Sequence, residues 1–173
     1  MTSGSPLISR SQANTIPFSS NKLLEILTHI QVKLASITTS DIKKTLIECE
    51  EPALDGESKL CATLLESMVE FSMMSLGTRD VQASSTTIKE KSGDFEVKKT
   101  YNVASLGVRA LGRDQLVVAC HSLPYPYAMF YCHVTGKTKA YTMVLEGNDG
   151  TNVEAIAVCH FDTSKWNPKH LVF

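Results

Sequence analysis

Apolar positions recur along this chain with two different periods, and the change from one to the other falls near Gly77. Upstream, Pro17, Ser19 and Ser20 act as stop and cap before Leu23, Leu24, Leu27, Ile30 and Leu34, which return at helical spacing. This predicts a short amphipathic helix over Lys22–Leu34. Ser40 is placed to cap a second helix, in which Ile42, Leu46 and Cys49 share one face. Pro52 and Gly56 then break the chain. A third helix is predicted from about Lys59 to Leu76, with Cys61, Leu64, Leu65, Met68 and Phe71 inward and Gly77 as its C-cap. Ahead of all three, residues 1–10 read as a disordered tail, and the loose Ser, Thr, Gly and Gln texture continues to residue 15.

Downstream of Gly77 the runs are short and rich in β-branched residues. Val81–Glu90 and Phe95–Val103 read as strands around a turn at Ser92-Gly93-Asp94. Gln115–Cys120, Tyr127–His133, Lys139–Glu146 and Val153–His160 are four more, with a tight-turn signal at Asn148-Asp149-Gly150 between the last two. The expected fold is α+β: N-terminal helices packed on a mostly antiparallel β-sheet.

Composition narrows the options. A length of 173 residues, 43% hydrophobic and 20% charged, is that of one ordinary domain with a buried core. The net charge of −1 provides no basic excess to hold a phosphate backbone, so no nucleic-acid partner is expected. No apolar run approaches the roughly 18 residues of a membrane span. Met1–Arg10 is polar, so no signal peptide is expected as the sequence is written. Oligomeric state is not legible. Five cysteines, at 49, 61, 120, 132 and 159, are an odd number that fits either disulfides or buried thiols.

The chemistry concentrates in a repeated dipeptide. Cys120-His121, Cys132-His133 and Cys159-His160 each fall at a predicted strand end, separated by ten and then 25 residues. Neighbouring side chains on a strand point to opposite faces, so the repeat puts cysteines on one face and histidines on the other. Cysteines in such a row can pair with each other. The histidines can converge on an ion, and imidazole suits copper, zinc or nickel. The same pattern also suits buried thiols beside hydrogen-bonded structural histidines, and spacing alone leaves both readings open.

The flanking text carries a resemblance. Val117-Val118-Ala119-Cys120-His121, Tyr125-Pro126-Tyr127-Ala128, Phe130-Tyr131-Cys132-His133, Val158-Cys159-His160 and Trp166-Asn167-Pro168-Lys169-His170 resemble the plant BURP-domain family. Ile16-Pro17-Phe18-Ser19, Cys61-Ala62-Thr63 and Glu66-Ser67-Met68 agree upstream, and the wording is similar to the dehydration-responsive and seed-protein branches. The resemblance implies one partial BURP domain over 11–173, truncated at both ends, with the fourth Cys-His pair of the family falling beyond Phe173. It implies a plant protein associated with stress response and development, secreted to the cell wall or vacuole. It also implies likeness to copper-dependent autocatalytic cyclases, which cross-link a Tyr or Trp side chain within a ribosomal peptide. On that basis His121, His133 and His160 are candidate copper ligands, and a peptide is the candidate substrate. Cys49 is expected to pair with Cys61 and Cys120 with Cys132, leaving Cys159 without a partner. No catalytic side chain is assigned. The alternative is a non-catalytic extracellular or wall-associated structural protein, similar to the polygalacturonase β-subunit branch.

Other candidates read as structural. His29 is expected at a helix surface and His170 in a structural role. Tyr125, Tyr127 and Tyr131 are expected to form a packed aromatic row, and Met68, Met73 and Met74 to pack in the core. Ser122, Asp162 and Ser164 beside the histidines do not make a hydrolytic triad, which a fold assembles from distant positions. Lys89–Lys99 reads as a solvated hairpin.

Overall fold

A computed structural model describes residues 5–34, 36–86, 99–105, 107–111, 116–161 and 163. The expected turn at Ser92-Gly93-Asp94, Asp162, Ser164 and the Trp166–His170 stretch lie outside the described residues. The chain divides into two compact units. One is built on residues up to Val81 with Val118–Thr135, the other on Gln82–Val117 and Gly136–Ser164.

In the first unit a three-stranded antiparallel sheet has the order β1-β5-β4, where β1 is Glu57–Ala62, β4 is Ala119–Ser122 and β5 is Phe130–Thr135. Among the described residues, four α-helices accompany it: α1 (Arg10–Ala13), α2 (Leu23–His29), α3 (Ile37–Glu50) and α4 (Leu65–Leu76). One buried cluster unites Ile26 and Leu27 of α2, Ile42 and Leu46 of α3, Tyr131 of β5, and Leu123, Tyr125, Tyr127 and Met129 of the β4–β5 connection. That connection alternates in and out like a strand, so its buried residues fall at odd numbers.

Local chemistry sets the ends of these elements. Ser9 makes a capping box with Gln12 over α1, so part of the expected loose tail is one helical turn, and the Pro6 carbonyl accepts from the Ala128 N–H. The predicted first helix is shorter than expected: Gln31 enters the left-handed region at φ 55°, so α2 ends and Leu34 loses helical phase. Leu34 is consequently exposed; within α2 itself Ile26 and Leu27 face inward and Leu24 outward. Ser36, rather than Ser40, caps α3 by accepting from the Thr39 N–H. Lys59–Ala62, predicted as the start of the third helix, instead belongs to β1, because six backbone positions pair with β5 from Glu57↔Thr135 to Ala62↔Phe130. Gly77 ends α4 in the left-handed conformation, as its position predicts. Met68 and Met73 are half-buried, but Met74 is exposed rather than in the core.

In the second unit β6 (Thr138–Gly147) is flanked by β2 (Tyr101–Val103), β3 (Arg109–Leu111) and β7 (Asn152–His160), all antiparallel to it. The β6–β7 hairpin turns at Asn148-Asp149-Gly150 as expected, with Gly150 at φ 79° and the Asp149 carboxylate accepting from the Thr151 N–H and hydroxyl. An added Cβ at Gly147 would lie 2.6 Å from Thr151 Oγ1 and 2.7 Å from Asp149 Oδ1, so a larger residue there displaces the side chains that close this turn. Helices with antiparallel sheets make the class α+β. No helix among the described residues is long and apolar enough to cross a membrane.

Candidate metal centre

Two of the three Cys-His pairs sit on neighbouring strands of the first unit, in a register that sorts their side chains. Cys120 lies directly across from Cys132, and His121 across from Tyr131. The Cα atoms of Cys120 and Cys132 are 4.0 Å apart and the two are joined by a disulfide. Strand alternation then places His121, Tyr131 and His133 on the opposite face, together with Glu57, Lys59 and Cys61 of β1. A slip of one residue between β4 and β5 would turn His121 to the face opposite His133, and the cross-strand disulfide forbids that slip.

The histidine rings of this face are neighbours, with centroids 5.4 Å apart and planes tilted by 51°. His133 is completely enclosed and faces Ala119, whose methyl group leaves its cross-strand partner room for a ring. His121 is half-buried. Below them a second disulfide, Cys49–Cys61, joins α3 to β1 across a loop that contains the turn Leu54–Glu57. Gly56 supplies the positive φ of 81° at the third position of that turn. The turn delivers Glu57 to the first position of β1, beneath the histidine face.

Glu57 is the polar anchor. Its Oε1 accepts from His133 Nδ1 at 2.9 Å and from the Tyr131 hydroxyl at 3.2 Å, while Oε2 accepts from the Leu54 N–H at 2.9 Å. Burial pushes its carboxyl up, but the hydrogen bonds from His133, Leu54 and Tyr131 outweigh burial and hold it below the usual carboxylate range. A carboxylate only accepts, so the proton of this contact resides on His133 Nδ1. In the neutral ring Nε2 then carries the lone pair, the electron pair a metal ligand requires. Burial, followed by the charge of Glu57, drives the Tyr131 phenol upward, so it stays protonated and donates. Lys59 packs its ammonium 5.2 Å from the Tyr131 ring centroid and donates to the Glu48 carbonyl.

The third pair belongs to the second unit. His160 ends β7 across from Thr138, whose hydroxyl lies 2.9 Å from His160 Nδ1. A hydroxyl can donate or accept, so this contact leaves the His160 tautomer open, in contrast to His133. Cys159 keeps its thiol and is half-buried. Ser122 lies on the cysteine face, away from His121, so the strand geometry excludes a Ser122–His121 dyad. His29 is exposed on α2, and the three tyrosines are core residues, with Tyr125 and Tyr127 edge to face at 4.9 Å. Glu57 was missed in the sequence, since nothing local connects it to a histidine 76 positions later.

These features define a class: an α+β protein braced by disulfides, whose Cys-His strands put cystine on one sheet face and imidazole on the other. The BURP domain model matches residues 1–173, and the chain belongs to that family. It is 49% identical over 173 residues to BURP domain-containing protein 5 of Oryza sativa subsp. japonica, covering 100% of this chain and 52% of the rice protein. It is 44% identical over 164 residues to BURP domain protein RD22 of Arabidopsis thaliana, covering 95% of this chain and 41% of that protein. Protein RAFTIN 1B of Triticum aestivum is 40% identical over 165 residues, with 95% and 44% covered. The chain thus spans about half the length of these relatives, or less. Two disulfides and this family are those of a secreted or extracellular protein.

Proposed function

We propose that this chain is the copper-binding part of a BURP-domain peptide cyclase, with His121 and His133 as ligands and His160 as the further ligand that family resemblance implies. The observation that carries the reading is the pair of imidazoles side by side on one sheet face, one of them held by a carboxylate in the tautomer that metals bind. An imidazole donor set fits copper, and carboxylate–histidine contacts of this kind are usual behind metal-bound histidines. Bound copper supplies one-electron oxidation of a phenol or indole, which suits closure of a ring through a Tyr or Trp side chain of a peptide. The biological setting in this reading is stress response and development, in the cell wall or vacuole.

A second reading has its own support. The Cys120–Cys132 disulfide and the enclosed Glu57–His133 contact both hold the sheet without any metal. That suits a non-catalytic, wall-associated structural protein. Purified protein incubated aerobically with Cu(II) and Tyr- or Trp-containing peptides separates the two. A peptide product lighter by two hydrogens, absent without copper and absent with His133→Ala, supports the cyclase. Unchanged peptide in every sample supports the structural protein.

A further inference from the structure

We infer that Glu57 is a positioning residue for the metal centre: it fixes the ring orientation and tautomer of His133 and so raises the affinity of that histidine for copper. This rests on the copper-binding reading above. Glu57 stands at the first position of β1, and His133 lies near the end of β5, one strand away and two positions along in register. The carboxylate reaches diagonally along the shared face to contact Nδ1 at 2.9 Å.

Three restraints show that the carboxylate is built into this position. The Leu54 N–H holds Oε2, and the Leu54 carbonyl accepts from the Glu57 N–H, so side chain and backbone close the same turn. The Tyr131 hydroxyl donates to Oε1 from the strand that carries His133. The Cys49–Cys61 disulfide ties β1 to α3 four residues beyond Glu57. Both Glu57 and His133 side chains are almost wholly buried, at 4% and 0% exposed, so water does not compete for the contact. A ring held at Nδ1 by an acceptor keeps its lone pair on Nε2 and cannot swing freely about χ2. An outer carboxylate of this type typically changes metal affinity by about 10–100-fold.

The test uses the whole 173-residue chain, wild type and as Glu57→Ala, Glu57→Gln and His133→Ala. Nitrogen-15 spectra of the metal-free proteins read the His133 tautomer, and competition against a chelator reads Cu(II) affinity. The expected wild-type His133 carries its proton on Nδ1, and Glu57→Ala loses that preference and binds Cu(II) about 10–100-fold more weakly. Glu57→Gln keeps an oxygen that can accept, so it retains part of the affinity. It also keeps the test decisive if the alanine variant does not fold. A wild-type His133 protonated on Nε2 overturns the inference. So does Glu57→Ala or Glu57→Gln binding Cu(II) as tightly as wild type while His133→Ala does not. If the wild type itself binds no Cu(II), the copper reading fails and this inference fails with it, a result distinct from the other two.

Discussion

Leu46 illustrates how much of this molecule rests on single side chains. It is fully enclosed in the cluster that joins α2, α3 and the β4–β5 connection, and truncation leaves a void that this packing cannot easily close. Leu46→Ala is expected to lower unfolding free energy by about 2–5 kcal/mol in a denaturant titration, and a loss below about 1 kcal/mol would contradict this placement. At the β6–β7 turn, hydrogen bonds from the Thr151 hydroxyl and N–H depress the Asp149 pKa from 3.8 to about 2. A depressed pKa gives stability that is complete above the unfolded value of 3.8 and is lost as pH falls through about 2. A carboxyl-carbon NMR titration should therefore find Asp149 midway near 2, moving toward 3.8 in Thr151→Ala. An Asp149 midpoint already at 3.8 in the wild type would show that the turn hydrogen bonds are not formed. At this scale the sequence was readable where a residue acts on near neighbours: Asp149, Gly77 and the Ile42/Leu46 face. It was unreadable where a residue acts across the fold. Glu57 is an ordinary acidic residue until strand pairing brings His133 beside it.

Among the elements, β4 and β5 matter most, because their register decides which face the histidines occupy. The Cys120–Cys132 bridge pins that register, and replacing both cysteines by serine is expected to cost about 2–4 kcal/mol in thermal or chemical unfolding. An unchanged stability would mean that the bridge is dispensable. The turn before β1 is the other sensitive place. Gly56 has open space around its Cα but a φ of 81°, so Gly56→Ala strains the backbone without a clash. The expected cost is about 1 kcal/mol, read as a shift in denaturant midpoint, and a stabilised variant would contradict the turn assignment. The sorting of cysteines and histidines to opposite faces was legible because it follows from a two-residue period alone, but which face is the packed one was not: Cys120 is exposed and His133 is enclosed. The identity of β1 was not. Glu-Ser-Lys-Leu-Cys-Ala contains no β-branched residue, and its strand state comes from pairing with β5, a tertiary effect that overrides local propensity. The predicted first helix ran too far for a related reason: α2 ends at His29, Gln31 turns left-handed, and the residues beyond it no longer follow a helical period.

At the scale of the whole molecule, the α+β class and the family were readable from the sequence, because both depend on patterns that run the length of the chain. The two-unit division was not, since each unit is assembled from segments distant in sequence. Whether the Cys-His strands form a copper site, as proposed above, is decided by direct titration of purified protein with Cu(II) at neutral pH. Tight binding of about one Cu(II) per chain is expected, weakened in His121→Ala, His133→Ala and His160→Ala but not in His29→Ala, whose ring is exposed on α2. Binding that is absent, or that ignores the first three substitutions, would contradict that proposal and leave the disulfide-held, non-catalytic protein as the better description.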